Sequence, residues 1–451
     1  MSLKVFLLPI INRALSFACI LLFPATAAAF NIERVVSANG IEAWLARDTS
    51  VPVLSVEIAF RESGSAVDPT GKEGLAYLAS GLLDEGAGNL DSQAFRHALE
   101  DNVISLSFDA RRDVFTGSLK TLRKNHKKAF TLLRLALLKP RFDTGAVERI
   151  RNQVLTTLAH RADDPDAIAQ RTWLGIAFPD HTYGKPRRGT AESVKTITAK
   201  DLQGFVNQNL VLEKLVIGVS GDITSDELVS LLDHAFGSLP KRQPKVFSLD
   251  KAEIKGGGKM IVIEKPISQS IVFFGQAGVK RNDPDYYAAY VMNYLLGGSG
   301  LHSRLSKKIR VERGLTYSVY SYLYPLDQAG LLVGQVSTRN DRVRETLKLV
   351  RTEWKRLSEE RVTEGELRDA KTYLTGAFPL TLDSTNRIAG VLVAIQLNDL
   401  GIDYIDRRNE YIEATSVTDI ARVAKRLLKP ELLGIVVVGR PRGLAATLTV
   451  D

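Results

Sequence analysis

The sequence is nearly without cysteine: its 451 residues include one, Cys19. Cys19 lies within residues 1–29, which we interpret below as an export signal, so the mature chain has no cysteine. A disulfide bond is therefore excluded, even in an oxidising compartment where disulfides would persist. The stability of the mature protein must come from burial of its side chains alone.

Histidine is also scarce, and the six residues present do not follow the spacing of a zinc helix. No two of them lie four positions apart; they are His97, His126, His160, His181, His234 and His302. One fragment places His97, Glu100 and Asp101 where they can share a helix face, whereas a catalytic zinc site needs three protein ligands and an open position for water. We interpret this fragment as the solvent-exposed end of a helix rather than as a zinc site. A serine nucleophile is not indicated either, because no G-x-S-x-G elbow occurs.

Charge and composition narrow the class of protein further. The chain is 45% hydrophobic and 25% charged, which is typical of a soluble globular protein, and it is long enough for several domains. The net charge is +9, but lysine and arginine are spread along the whole chain and no basic run is interleaved with aromatic residues. We therefore predict no nucleic-acid partner.

The N-terminus has the pattern of a cleaved export signal. Lys4 and Arg13 precede an apolar run over residues 15–23, and the small residues PATAAA follow. This predicts a signal peptide over residues 1–29, with cleavage within Ala27 to Ala29. The alternative is a membrane anchor, but the run is too short to cross the hydrocarbon core comfortably. We expect a periplasmic or secreted protein with no membrane span after cleavage.

The rest of the sequence contains the same pattern of strands and helices twice, which indicates a duplication. VPVLSVEIAF and QSIVFFGQAG are both strand patterns followed by a turn and a helical stretch. Val53 and Ile271 within them lie 218 positions apart, and so do Gly221 and Gly439, which each end a later buried strand. Two pairs of equivalent residues separated by the same 218 positions indicate an internal repeat.

The repeat predicts an α+β fold of two homologous domains, each a mostly antiparallel sheet backed by helices. The first domain spans residues 30–239, the proline- and glycine-rich linker residues 240–259, and the second domain residues 260–451. Within the first domain, residues 104–122 alternate apolar and polar side chains around a turn, as a hairpin does.

The strongest candidate for chemistry lies in residues 303–323, where a helix carrying Arg310 is followed by a turn and a strand that bears Tyr317. A charged helix face and a packed aromatic residue are the simpler interpretation. In a cleft, however, the guanidinium can bind a peptide carbonyl or carboxylate, and the phenol can donate to a carbonyl or an oxyanion. Gly298 and Ser299, in the run GGSG just before this helix, favour a tight turn or a close backbone approach to a bound peptide.

The segment LLGGSGLHSRLSKKIRVERGLTYSVYS strongly resembles the second-half signature of the pitrilysin and insulinase-like peptidases, the inverzincins. The resemblance implies two homologous halves that form half of a clamshell around an extended peptide. Arg310 and Tyr317 match, seven positions apart, the arginine–tyrosine pair that this family uses near the substrate and the catalytic water.

The sequence departs from the family at the zinc helix. The inverted motif H-x-x-E-H belongs directly after G-L-A, but the two ligand positions hold Tyr77 and Gly81 and the general-base position holds Ser80. Glu148 resembles the third ligand and cannot hold a catalytic zinc alone. We therefore predict no metal in this chain.

The resemblance then implies a non-zinc subunit of a heterodimer, similar to that of the mitochondrial processing peptidase. A homologous partner would carry the zinc, and this chain would contribute Arg310 and Tyr317 to peptide binding and to a composite active site. Gly298 and Ser299 are expected to contact the peptide substrate. An inactive scaffold, such as the core subunits of a respiratory complex, and a stand-alone peptide-binding protein are the alternatives.

Overall fold

The computed structural model describes residues 31–241, 249–298, 300–444 and 448–449. The predicted signal peptide, the central part of the predicted linker and Ser299 lie outside these residues. Within the described ranges, no helix is both long and apolar enough to cross a lipid bilayer.

The first half of the chain forms a mixed sheet with helices. Its strands are β1 (Ile32–Val36), β2 (Glu42–Arg47), β3 (Val53–Phe60), β4 (Ser105–Ala110), β5 (Phe115–Leu122) and β6 (Leu215–Gly221). Its helices are α1 (Leu75–Ser80), α2 (Ser92–Glu100), α3 (His126–Leu138), α4 (Thr144–Asp163), α5 (Pro165–Ala177), α6 (Ala191–Thr196), α7 (Ala199–Asn209) and α8 (Ser225–Phe236). The strand order is β1-β2-β6-β3-β5-β4, and only β2 and β6 pair in parallel.

The second half repeats this arrangement. Its strands are β7 (Met260–Glu264), β8 (Gln269–Ala277), β9 (Val319–Pro325), β10 (Gly330–Arg339), β11 (Gly434–Gly439) and β12 (Leu448–Thr449). Its helices are α9 (Tyr286–Gly297), α10 (Val343–Glu359), α11 (Glu364–Ala377), α12 (Thr385–Leu397), α13 (Tyr404–Glu413) and α14 (Val417–Leu427), and a π-helix spans Ser306–Val311. The strand order is β12-β7-β11-β8-β10-β9.

The two sheets confirm the predicted α+β class and the duplication, because β2-β6-β3-β5-β4 and β7-β11-β8-β10-β9 have the same order and directions. The strand register shows that the offset between the two halves is not the same at every strand. Leu54 pairs with Gly221, whereas Ile271 pairs with Val438, which places Ser270 opposite Gly439. The offset between halves is therefore 218 at the glycines but 216 at β3 and β8, since 270 − 54 is 216.

Each sheet is covered on its second face by a helix from the other half of the chain. Helix α12 lies on the first sheet, where Ser55 Oγ and Thr385 Oγ1 are 2.8 Å apart and a Cβ on Gly218 would overlap the carbonyl of Ala389. Helix α5 lies on the second sheet through the buried Trp173. The halves therefore interlock, a feature that the sequence prediction of two homologous domains did not include. The predicted domain boundaries themselves stay a prediction.

Candidate functional site

The π-helix and the turn after it position Arg310 and Tyr317. Glu312 N–H donates to Lys307 O at 2.9 Å, five residues back, so the helix is widened just where Arg310 lies. The following turn is held against β10, because Thr316 Oγ1 donates to Ser337 O at 2.5 Å. Such single π-turns are frequent at functional sites.

Arg310 and Tyr317 are brought together, as the sequence predicted. The guanidinium carbon of Arg310 lies 4.7 Å from the centroid of the Tyr317 ring, within cation–π range. The Tyr317 side chain is 83% exposed, the highest value among the large exposed hydrophobic residues described. Neither polar end has a hydrogen-bond partner among the residues that the structure describes. The Tyr317 side chain is therefore presented to solvent, beside a partly buried Arg310, rather than packed in the core.

Gly298 has a different environment from the pair. It caps the end of α9, its N–H donates to Tyr294 O at 3.1 Å, and a Cβ there would lie 2.7 Å from Tyr294 Cα. It lines a cavity of about 300 Å³ together with Asn293 and Tyr322, and neither Arg310 nor Tyr317 is among the described residues that line it. Close packing against α9 accounts for the glycine, and its predicted contact with substrate stays a prediction, as does that of Ser299.

The helix that would carry the zinc motif is α1, and a buried aspartate fixes its start. Asp68 accepts hydrogen bonds from Gly74 N–H at 2.8 Å and Ala76 N–H at 2.9 Å. Gly74 has a φ of +93°, and a Cβ there would lie 2.6 Å from the carbonyl oxygen of Arg188. The helix is thus held firmly against the segment around Arg188.

The side chains at the zinc positions do not fit a zinc ion. Ser80 Oγ donates to Tyr77 O at 2.7 Å, so it is engaged within its own helix. Glu148 pairs with Arg151 at 3.3 Å and is half exposed. A Cβ on Gly81 would lie 3.2 Å from Ile150 Cγ2, which leaves little room for a larger ligand. The residues present offer one carboxylate and no imidazole, which is not a zinc donor set.

The other metal candidate in the sequence is also not assembled. His97 Nδ1 and Glu100 Oε2 are 3.9 Å apart, and both side chains are exposed at the end of α2. Over the described ranges, no group of three or more histidine, cysteine, aspartate or glutamate residues is arranged to hold a metal ion.

Sequence analysis missed a basic cavity that lies beside Tyr77. The cavity has a volume of about 790 Å³ and is lined by α4, α5, the β4–β5 turn, the loop over residues 184–191 and Tyr324 on β9. The guanidinium carbons of Arg188 and Arg187 lie 5.0 and 5.7 Å from the Tyr77 ring centroid. Cationic groups therefore stand where the family's zinc helix would present its ligands.

Burial and mutual repulsion both act on the arginines of this cavity. Burial, and then the charges of Arg188 and Arg187, lower the pKa of Arg161. Burial also lowers the pKa of Arg112, whose guanidinium donates to Lys185 O at 3.3 Å. The shift at Arg161 reflects cations held close together, whereas the shift at Arg112 reflects its burial.

A row of tyrosines connects the basic cavity to the arginine–tyrosine pair. Tyr320, Tyr322 and Tyr324 alternate along the edge strand β9, with ring centroids 6.1 and 6.4 Å apart. Tyr324 lines the cavity, while Tyr317 lies just before the other end of the strand. Seven residues of extended chain span roughly 23 Å, so the pair and the cavity are separate sites.

Comparison with known proteins identifies the family to which this chain belongs. Residues 46–191 match the family described as "Insulinase (Peptidase family M16)", and residues 196–374 match the "Peptidase M16 inactive domain". The chain belongs to peptidase family M16. It is an inactive-type homologue of that family, since its C-terminal half matches the inactive domain and its zinc helix lacks the ligands.

Individual relatives of this M16 homologue carry different descriptions. It is 32% identical over 331 residues to a protein of Helicobacter pylori described as a "Non-peptidase homolog", covering 73% of this chain and 76% of that one. It is 30% identical over 384 residues to an "Uncharacterized zinc protease" of Mycobacterium leprae, covering 85% of each. A crystal structure of a peptidase M16 inactive domain from Pseudomonas fluorescens is 26% identical, with a TM-score of 0.85 over 93% of this chain and 100% of that one. The resemblance inferred from the sequence is thereby confirmed.

Proposed function

We propose that this M16 homologue is the non-zinc subunit of a heterodimeric metallopeptidase. A homologous partner carries the zinc, and this chain supplies Arg310 and Tyr317 to the composite site. One observation carries the proposal: the exposed Tyr317 ring lies against the partly buried Arg310, neither side chain has a hydrogen-bond partner in the described chain, and the zinc helix of the same chain has no donor set.

The two side chains suit the binding and polarisation of a peptide. The Arg310 guanidinium presents a fork of N–H donors to a peptide carbonyl or carboxylate, and its position over the ring restricts the directions that the Tyr317 phenol can take. The phenol O–H can donate to the oxyanion that develops when a peptide carbonyl is attacked. Zinc in the partner supplies the activated water when it is bound there.

We also propose that the complex assembles after export. The predicted signal peptide over residues 1–29 directs this chain to the periplasm or outside the cell, so its partner must carry an export signal too. The substrates are then extracytoplasmic peptides. The mature chain carries no cysteine and so acquires no disulfide in that compartment.

The test is reconstitution of the mature chain with the product of a neighbouring gene that encodes an intact H-x-x-E-H motif. We expect zinc to copurify with the partner and only the mixture to cleave unfolded peptides. Tyr317→Phe and Arg310→Ala should each lower kcat by about 10²-fold without dissociating the complex, since each removes a group that acts on the reacting carbonyl. Tyr411→Phe serves as the matched control and should leave kcat unchanged, because the Tyr411 ring also lies beside an arginine, Arg407, at 5.3 Å, but away from the Arg310–Tyr317 pair.

Two outcomes contradict the proposal. Cleavage by the isolated chain that a chelator abolishes would place the metal site in this polypeptide. Wild-type kcat in both Tyr317→Phe and Arg310→Ala complexes would reduce the pair to surface packing. The second candidate function, a peptide-binding protein without catalysis, is favoured by the basic cavity beside Tyr77 and predicts binding without turnover in every mixture.

A further inference from the structure

The cavity beside Tyr77 carries a positive charge that the chain does not balance. Eight of its lining residues are arginine or lysine, and one, Asp109, is acidic. Asp109 already accepts hydrogen bonds from the Arg187 guanidinium at 3.2 and 3.3 Å. Of the remaining cations, Arg112, Arg161 and Arg188 are partly buried, so their charges are partly desolvated and favour a ligand that provides the counter-charge.

Three arginines of this cavity have unused donors. Arg161 and Arg171, from α4 and α5, make no hydrogen bond or ion pair within the described part of the chain. Arg188 Nε is buried and has no hydrogen-bond acceptor there. A buried guanidinium N–H without an acceptor is rare in folded proteins, so Arg188 Nε indicates a missing partner. Arg171 is exposed and Arg161 partly buried, so their donors are free to turn towards a ligand.

The size and lining of the cavity point to an extended ligand rather than a single small anion. Its volume of about 790 Å³ is in the upper part of the range for ligand pockets, whereas one inorganic anion would fill a small fraction of it. Apolar surface from Leu155, Leu158 and Leu174 separates the cationic groups. Such a surface suits a chain that presents carboxylates and apolar side chains in turn.

The neighbouring sheet edges suit a peptide. Strand β4 ends at the cavity and is the last strand of the first sheet, and β9, which carries Tyr324, is the last strand of the second sheet. Edge strands have one row of backbone N–H and C=O groups without strand partners, and an extended peptide can pair with them.

We propose that this cavity binds a peptide segment rich in aspartate and glutamate. The assignment deepens the peptide-binding part of the proposed function and does not depend on the zinc-bearing partner. Carboxylates form paired, charge-assisted hydrogen bonds with guanidinium groups, so Arg161, Arg171 and Arg188 each gain the acceptor that they lack. Acidic substrates are thereby distinguished from neutral ones of the same shape.

The test measures binding of fluorescent peptides to the mature chain alone by anisotropy at 50 and 300 mM salt. Two peptides of equal length are compared, one alternating glutamate with leucine and one with glutamine in place of each glutamate. We expect the glutamate peptide to bind at least tenfold more tightly at low salt and to lose affinity as salt rises. The double variant Arg161→Gln/Arg171→Gln should weaken the glutamate peptide about tenfold or more and leave the glutamine peptide unchanged.

The matched control is Arg361→Gln/Arg368→Gln, which removes the same charge from exposed positions outside the cavity. Equal weakening by the control and the cavity variant would overturn the proposal, because net charge alone would then account for binding. Equal affinity for the glutamate and glutamine peptides would also overturn it. Tighter binding of a single-stranded oligonucleotide than of the glutamate peptide would assign the cavity to another polyanion, and displacement of the peptide by equimolar inorganic phosphate would assign it to a small anion.

The readout separates this proposal from the heterodimer. Binding is measured without the partner and without metal, so its failure leaves the role of Arg310 and Tyr317 intact. Conversely, an inactive mixture leaves the peptide affinities unchanged. Unfolding curves of both double variants, expected to match that of the wild type because their side chains make no internal contacts of note, exclude misfolding as the cause of weaker binding.

Discussion

Substitution of Trp173 by alanine should destabilise both halves of the protein together. Trp173 lies on α5 in the first half of the chain, yet its ring packs edge-on against Phe273 of the second sheet at 5.6 Å. Its indole N–H donates to Gly434 O at 3.1 Å, and only 4% of the residue is exposed. The residue therefore joins one half of the chain to the sheet of the other.

The magnitude follows from that burial. A buried tryptophan removes roughly 200 Å² from water, which corresponds to about 5 kcal/mol as an upper bound. Large-to-small substitutions of this kind cost about 3–5 kcal/mol in measured series. The Gly434 carbonyl also loses its donor, so we expect Trp173→Ala to lower the free energy of unfolding by about 4 kcal/mol. Trp173→Phe keeps most of the packing and should cost about 1–2 kcal/mol.

The chain is well suited to a fluorescence assay, because it has three tryptophans. In Trp173→Ala the remaining two report separate regions: Trp44 packs against α12 on the first sheet, and Trp354 lies in the main core of the second half. Urea unfolding of this variant, followed in versions that also carry Trp44→Phe or Trp354→Phe, gives a midpoint for each region. Because the halves interlock, both midpoints should shift downward by the same amount.

Two results would refute this reasoning. A cost below 1 kcal/mol for Trp173→Ala would mean that the α5 contact contributes little. A lower midpoint at Trp354 with an unchanged midpoint at Trp44 would mean that the halves fold independently, although α5 and α12 each pack on the sheet of the other half.

Two further predictions concern other parts of the fold. Gly218→Ala should cost about 1–3 kcal/mol in urea unfolding, since its Cβ would overlap the Ala389 carbonyl, whereas Gly204→Ala, in a helix with open space around it, should be neutral or stabilising by up to about 1 kcal/mol; equal effects would show that α12 yields freely. Lys72 lowers the pKa of Asp201 from 3.8 to about 2 through a 2.9 Å hydrogen bond, so this pair stabilises the fold above pH 4 and the contribution is lost as pH falls towards 2. Asp201→Asn should cost about 1 kcal/mol at pH 7 in unfolding experiments, because both side chains are only partly buried and solvent screens the pair, and an undiminished difference at pH 2 would contradict this assignment.

The strands could be predicted from sequence because their signal is local. β3 and β8 lie within the predicted strands VPVLSVEIAF and QSIVFFGQAG, and the hairpin over residues 104–122 contains β4 and β5. The Arg310–Tyr317 pair was also predicted, since its seven-residue spacing within one segment carries the family resemblance.

The packing of α5 and α12 on the sheets of the opposite halves and the basic cavity could not be predicted in this way. Hydrophobic periodicity indicates that α12 has an apolar face, but it does not indicate which of the two sheets that face covers. The cavity gathers its arginines from four segments that are scattered through residues 111–195, and in the sequence they are indistinguishable from ordinary surface charge. The π-turn at Arg310 depends on a hydrogen-bond pattern that residue spacing does not encode.

The loss of zinc ligands and the presence of the arginines are physically linked. The guanidinium carbons of Arg188 and Arg187 lie 5.0 and 5.7 Å from the centroid of the Tyr77 ring, which occupies the position of the first zinc ligand. At an effective dielectric constant near 20, a dication and a single positive charge at that distance repel by about 6 kcal/mol, which is half of the binding energy of a typical structural zinc. Restoring the three motif residues would therefore give weaker zinc binding beside Arg188 than in a variant that lacks this charge; Arg187 is already paired with Asp109. The same two charges attract a carboxylate, so this region of the chain has the electrostatics of an anion-binding site and not of a metal site.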